Sequence, residues 1–473
     1  MTLKELEDRR RAFFDRYVPY KMLYYKEFDV GLLNHLTYKK RPVRGDPETV
    51  NDCFIMADTE TSKKLKVYKT IEAKQGGQVV SRTEIHENHV VAWSLSIRQY
   101  HRNIVTLYGS RPSEFCECVA QILACLPGDK TVIYFHNLAY DYVFLRKFLF
   151  MVFGTPIHEL NTKPHYPVAL EFDGGLILKD SLILAQRSLD KWSKDLNVEH
   201  QKAVGKWDYN KLRTQGETMT PDELEYIEHD TLAGVECLDA LRIALHKDVF
   251  SMPYTATGIP REDVRKRGVK EQANKDFKRH VMPFELYVMA EKVYHGGFTH
   301  ANRHELGFVQ PKAYARDFAS SYPFQILAKK FPVGGFSPLE NKKPEFILEY
   351  AEKYAFMFKF LMIRPRLKND LLPMPVLQFS KCERCVNGVI DNGRILKAEY
   401  VEICLTEIDL QIIVNQYDFD GAICVNVYAA TKGYLPRWLT DYVYQLFEDK
   451  TRLKGGDPVL YALAKSKLNS VYG

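Results

Sequence analysis

Short unbroken apolar runs bounded by polar turns mark the first half of this chain. Residues 53–57 (Cys-Phe-Ile-Met-Ala), 131–135 and 176–178 read as buried strands, and 90–108 as a strand hairpin joined near Arg102-Asn103. Helices are expected at about 112–125, 139–150 and 221–241, the last with Pro221 in its first turn, where the missing N–H has no partner to lose. Strands interleaved with helices describe an α/β domain over 51–250. Residues 1–50 read as an N-terminal extension, a helix followed by a basic, aromatic stretch ending Lys39-Lys40-Arg41-Pro42.

The second half is less regular. Residues 261–280 form a basic connector with eight Lys or Arg against four acidic residues, either a solvated helix face or a contact to a DNA backbone. Strand-like segments follow at 314–318, 355–363 and 422–428, with helices at 405–415, 436–450 and 458–471. The whole is a multidomain chain, α/β followed by α+β.

Composition narrows this only a little. A hydrophobic content of 46% with 27% charged residues is that of a water-soluble globular protein, and the net charge of +6 permits nucleic-acid binding without requiring it. No apolar run reaches the roughly 18 residues of a membrane span, and the charged start lacks a signal core, so an intracellular protein without membrane contact is expected. Nine scattered cysteines are not a disulfide framework. Cys382-Glu383-Arg384-Cys385 has the spacing of a zinc knuckle, but no second pair follows; the plainer reading is a hairpin turn with free thiols.

Chemistry enters with three carboxylate motifs in order. In Asp58-Thr59-Glu60, at the end of the first strand, residues i and i+2 face one way, and two carboxylates side by side repel unless a cation lies between them. Asp141 follows the strand 131–135 at the start of a helix; Tyr226 and Asp230, at i and i+4, share one helix face. Any one alone would be a surface pair or a cap. Together, four carboxylates on three elements can hold two Mg²⁺ (or Mn²⁺) ions for phosphodiester hydrolysis, with Tyr226 orienting the water.

Two further motifs suit a nucleotide. Asp317, ahead of Ser320-Ser321-Tyr322-Pro323, can hold a metal with triphosphate oxygens, and Tyr322 can block a 2′-hydroxyl; otherwise this is an ordinary strand and turn. Lys465, Asn469 and Tyr472 lie on one helix face, either toward a triphosphate or as a solvated amphipathic surface.

These motifs, with the run Tyr134-Phe135-His136-Asn137-Leu138-Ala139-Tyr140-Asp141-Tyr142-Val143-Phe144, resemble the family B DNA polymerases, and most closely their protein-primed bacteriophage branch. The resemblance implies a ribonuclease-H-like 3′–5′ proofreading exonuclease over 51–250, with metal ligands Asp58, Glu60, Asp141 and Asp230. It implies single-strand contacts at Tyr134, His136, Asn137, Phe144, Ser181 and Leu182, and a catalytic lysine at Lys206 in Lys206-Trp207-Asp208-Tyr209, with Lys202 close by. It implies a connector and first palm segment at 251–340, where Tyr294, Gly296 and Gly297 contact primer-template DNA and Asp317 is a catalytic metal ligand. A terminal-protein-contacting insert with palm strands would span 341–435, and partial fingers 436–473, where Lys465-Ser466-Lys467-Leu468-Asn469-Ser470-Val471-Tyr472-Gly473 matches the nucleotide-facing motif. The implied partners are single-stranded and primer-template DNA, dNTPs and a priming terminal protein, in the cytoplasm of an infected bacterium.

The family's later Tyr-x-Asp-Thr-Asp motif is missing; Tyr417-Asp418-Phe419-Asp420-Gly421 precedes the lysine helix and reads as a plain turn. The expectation is therefore either a truncated polymerase or a split one whose second palm aspartate and thumb come from another polypeptide. The alternatives are a stand-alone 3′–5′ exonuclease and a non-catalytic remnant that binds DNA or terminal protein.

Overall fold

The structure is a computed structural model describing residues 9, 12–41, 47–71, 81–203, 205–271, 273, 281–299, 301–318 and 320–471, the side chains of 64–71 and 81–87 excepted. It divides into two compact units, Met1–Glu262 with Glu448–Gly473, and Asp263–Phe447. No described helix is long and apolar enough to cross a membrane.

The first unit is built on a mixed eight-stranded sheet. Its strands are β1 (Met22–Tyr24), β2 (Phe54–Ile71), β3 (Ser81–Gln99), β4 (Arg102–Gly109), β5 (Thr131–Phe135), β6 (His158–Lys163), β7 (Tyr166–Glu171) and β8 (Leu176–Asp180), in the order β1-β4-β3-β2-β5-β8-β7-β6. Every residue of β5 and β8 is buried, as befits central parallel strands covered on both faces. Side chains alternate across β2. Ile55 and Ala57 enter a core with α1 (Pro112–Cys125) and α2 (Leu138–Phe153). Phe54 and Met56 enter the opposite core with α3 (Leu182–Ala185), α4 (Leu189–Leu196) and α5 (Pro221–Leu245).

The helix starts follow from local chemistry. Thr220 accepts from the Glu223 N–H, Glu223 accepts from the Thr220 N–H, and Pro221 opens α5. Gly234 lets that helix lie close on the sheet: a Cβ there would stand 2.7 Å from the end of Met56. The last described helix, Pro458–Ser470, belongs to this unit, with Leu463 in the α4–α5 core.

Two expectations change here. β2 does not stop at residue 57; it runs through Asp58 and Glu60, with a register shift between Glu60 and Thr61. Such shifts re-aim side chains at functional edges. Residues 12–36 also do not stand apart from the α/β domain: Phe14, Val18, Tyr25, Phe28, Leu33 and Leu36 fill the α1–α2 core. Leu33 is fully buried, so Leu33→Ala should cost about 2–3 kcal/mol in chemical denaturation, while a free-standing extension would cost nothing.

In the second unit, β9 (Tyr354–Ile363), β10 (Cys382–Val386), β11 (Tyr400–Thr406) and β12 (Gly421–Gly433) form an antiparallel sheet in the order β12-β9-β11-β10. The helix expected at 405–415 is α6 (Glu407–Gln416), capped by Thr406. Cys382 and Cys385 lie on strand β10, not on a turn, and join no group of three possible metal ligands among the described residues. Tyr417 and Asp418 form a two-residue strand, and Asp420 pairs with Arg364 (2.8 Å) and Arg366 (2.7 Å).

The strand expected at 314–318 is irregular and exposed, with Tyr314 and Phe318 in solvent. No described strand pairs with it, and an extended segment is a strand only where a neighbour completes its hydrogen bonds. The turn expected at 320–323 is instead a helix start, with Ser320 left-handed (φ 53°) ahead of the helix Ser321–Ala328.

Candidate active site

The register and the two cores decide which carboxylates meet. Asp58 and Glu60 share the face of Phe54 and Met56, which α5 covers. Ser94, opposite Asp58, donates to the Ile227 carbonyl (2.7 Å) and fixes the helix there. Asp230, one turn beyond Tyr226, thus arrives above the strand, and carboxylate oxygens of Asp58, Glu60 and Asp230 lie within 4.8 Å of one another. Asp141 approaches from α2 on the other side. Its Oδ1 accepts from the Thr59 N–H (3.0 Å) and the Thr59 hydroxyl (2.7 Å), so the middle residue of Asp58-Thr59-Glu60 orients the fourth carboxylate.

The electrostatics are unfavourable without a cation. Burial and then Asp230 push Asp58 up to about 7. Glu60 is held well above the usual range by burial, then by Asp58 and Asp230. Asp141 is raised by burial and by Asp58, against its bonds from Thr59. Asp230 is raised by burial despite Lys202. Its Oδ2 accepts from Lys202 (2.7 Å), whereas its buried Oδ1 has no partner. A buried anionic oxygen left open beside two further carboxylates is the donor set a hard divalent cation takes.

The lysine at this site is Lys202. Its ammonium also lies 5.2 Å from the Tyr226 ring centroid; burial lowers its proton affinity, but Asp230, Asp58 and Glu60 outweigh burial and raise it. Lys206, expected from the sequence, is ion-paired with Glu225 on the exposed side of α5. Tyr226 is buried, its hydroxyl 2.8 Å from that of Tyr209, and its phenol is raised by burial and by Asp230. Trp207 and Arg213 support this tyrosine pair: the Trp207 ring is 5.7 Å from Tyr226, and Arg213 lies over Trp207 and bonds Glu223 (2.7 Å).

The other expected single-strand contacts divide. Tyr134 is fully buried in the α4–α5 core and offers no surface to a strand. His136 is wedged between Ser181 (3.1 Å) and the Arg187 carbonyl (3.0 Å), stacks on Trp192, and is lowered by burial to about 4. Ser181 is buried and donates to the Phe135 carbonyl; Leu182 is half-buried. Asn137 is exposed in a left-handed conformation (φ 90°) before α2. Phe144, half-buried, packs edge-on against exposed Tyr140, whose hydroxyl meets Thr61 at 2.7 Å. Thr59, Tyr140 and Tyr209 were not assigned roles from the sequence, and of these only Tyr140 and Tyr209 carried a signal, as aromatics inside the motifs; Lys202 was the alternative to Lys206.

Asp317 and Tyr322 are exposed in the second unit, as are Tyr294, Gly296 and Gly297. Lys465 and Asn469 are exposed on one face of the last helix, opposite buried Leu463 and Leu468. Tyr472 lies outside the described residues.

Known proteins agree with this architecture. The structure is similar to phi29 DNA polymerase complexed with primer-template DNA (TM-score 0.64, 19% identity, 89% of this chain and 67% of that one). It is equally similar to the same polymerase complexed with single-stranded DNA (TM-score 0.63, 19% identity, the same coverage). By sequence the chain is similar to the DNA polymerase of Bacillus phage M2, 26% identical over 399 residues, and to that of Bacillus phage phi29, 24% over 391. In both cases 77% of this chain is covered, and it spans 61% of the relative's length. The profile of the family described as DNA polymerase type B, organellar and viral, matches residues 203–473. The chain therefore belongs to the organellar and viral type B DNA polymerases.

Proposed function

We propose that this chain serves DNA replication as part of a protein-primed DNA-directed DNA polymerase, and that its first unit is a 3′–5′ exonuclease that trims single-stranded DNA. The observation that carries the nuclease reading is the Asp58, Glu60 and Asp230 cluster with its open, buried Asp230 oxygen. These three residues, with Asp141 beside them, fit divalent cations; Mg²⁺ or Mn²⁺ held there would supply an activated water and neutralise charge on the scissile phosphate. Thr59 holds Asp141 in place, and the Tyr209–Tyr226 hydroxyl pair positions the attacking water. Lys202 offers its ammonium to the phosphorane oxygens. Asn137, Tyr140 and Phe144 at the start of α2 give a frayed strand polar and stacking contacts that are blind to sequence.

The relatives' complexes with primer-template DNA, single-stranded DNA and incoming nucleotides support DNA and dNTPs as ligands of this chain. For synthesis, Asp317 is the palm metal ligand, Tyr322 excludes ribonucleotides, Lys465 and Asn469 face the triphosphate, and Tyr294, Gly296 and Gly297 lie along the primer-template. Segment 341–435 is the surface for the terminal protein.

The test is a 5′-labelled single-stranded oligonucleotide incubated with the purified chain and Mg²⁺. A ladder shortening from the 3′ end is expected. An oligonucleotide that survives intact at high enzyme concentration rejects the nuclease assignment.

A further inference from the structure

Lys202 sits in a loop with no regular structure, between α4 and α5, yet its ammonium must be placed to a fraction of an ångström to act on a phosphate. The residues before it explain how. At His200 the backbone N–H donates to Glu236 Oε2 (2.9 Å) and Nδ1 to Glu236 Oε1 (2.7 Å). At Gln201 the carbonyl accepts from His229 Nδ1 (2.9 Å). The two imidazoles meet edge to face, with centroids 5.4 Å apart. Ala203, just beyond, packs against the Tyr226 cluster. The loop is thus fastened to α5 at Glu236, His229 and Asp230 in turn, running along the helix as a strap.

Glu236 is a firm anchor. It is buried, and it is held in turn by Asn103 from β4 (3.0 Å) and by Arg98 from β3 (3.7 Å). Glu199, His200 and Glu236 also have oxygens and nitrogens within 4.8 Å of one another, a spacing a cation could use. Both Glu236 oxygens, however, already accept protein N–H groups, and no open buried acceptor is left there of the kind Asp230 presents.

We infer that His200, Glu236 and His229 form a clasp whose task is to position Lys202 over the carboxylate cluster, making them positioning residues for phosphodiester cleavage. The inference rests on the exonuclease reading for its catalytic consequence and on geometry alone for the placement of Lys202.

The two parts are tested separately. Limited acylation of lysines by an N-hydroxysuccinimide ester, read by mass spectrometry, should label Lys202 several-fold faster in His200→Ala than in the parent, with Lys206 unchanged. His200→Asn, which keeps a side-chain N–H for Glu236, should return Lys202 to parental labelling. Glu236→Gln is the second variant if His200→Ala does not fold, and the same rise is expected. Unchanged labelling of Lys202 in a folded variant overturns the clasp. In the nuclease assay, His200→Ala should lower kcat about tenfold at constant KM, and should add nothing in a Lys202→Ala background. Losses that multiply across the two substitutions overturn the positioning role. A parent without nuclease activity would reject the exonuclease reading, while the labelling result would still decide the clasp.

Discussion

Asp230→Ala should lower 3′–5′ degradation of single-stranded DNA by at least about 10³-fold, because losing a metal ligand forfeits several kcal/mol of transition-state stabilisation. The same change should raise stability in metal-free buffer above pH 7, where an ordinary buried-charge mutation would lower it. Asp58, Glu60 and Asp230 crowd one another with one lysine among them. Asp58 titrates near 7 in the fold, through burial first and Asp230 second, against an ordinary value of 3.8. Between those values the folded state keeps a proton that the unfolded state has released. Stability of the parent without metal therefore falls as pH rises from about 4 toward 7 and stays low above it. Mg²⁺, which binds the folded state alone, should restore what is lost. Thermal melts of parent and Asp230→Ala in EDTA and in Mg²⁺, at pH 5 and pH 8, test each sign. A parent that melts higher at pH 8 than at pH 5 in EDTA would contradict the cluster's electrostatics, and an active Asp230→Ala would end the two-metal assignment.

How much of this could be read from the sequence depends on whether a property is local. The alternation that sets Asp58 and Glu60 on one face, and the helical spacing of Tyr226 and Asp230, are local, and both are found as expected. The Pro221 start of α5 is local too. The burial of Tyr134 was within reach: it alternates with Val132 in an all-buried strand, and both enter the α4–α5 core. Family resemblance pointed the other way because it compares letters and not faces. The irregular 314–318 segment was out of reach, since its letters suit a strand and pairing depends on chain elsewhere. The contribution of residues 12–36 to the α1–α2 core was hidden for the same reason.

The choice between two lysines is the sharpest case. Lys202→Ala should cost about 10²–10³-fold in kcat for strand degradation, the usual loss on deleting one donor aimed at developing charge. Lys206→Ala should cost less than about twofold, because exposed ion pairs contribute little. In sequence the two are four residues apart in a stretch without periodicity, and Lys206 stands in the better motif, beside Trp207. In the fold, Trp207 is buried against Tyr226, and Lys206 faces Glu225 in solvent. Lys202 instead bonds the buried Asp230 carboxylate and lies over the Tyr226 ring. Its ammonium is therefore held charged among the carboxylates before any phosphate arrives, which spares the reorganisation a free lysine would need. The comparison controls itself, because either substitution removes one positive charge from the same loop and weakens non-specific attraction to DNA equally. A large loss confined to Lys202→Ala, with KM unchanged, locates the phosphate over the cluster. Equal losses would mean that the loop acts only through its charge, and a loss confined to Lys206→Ala would mean that the loop turns over when DNA binds.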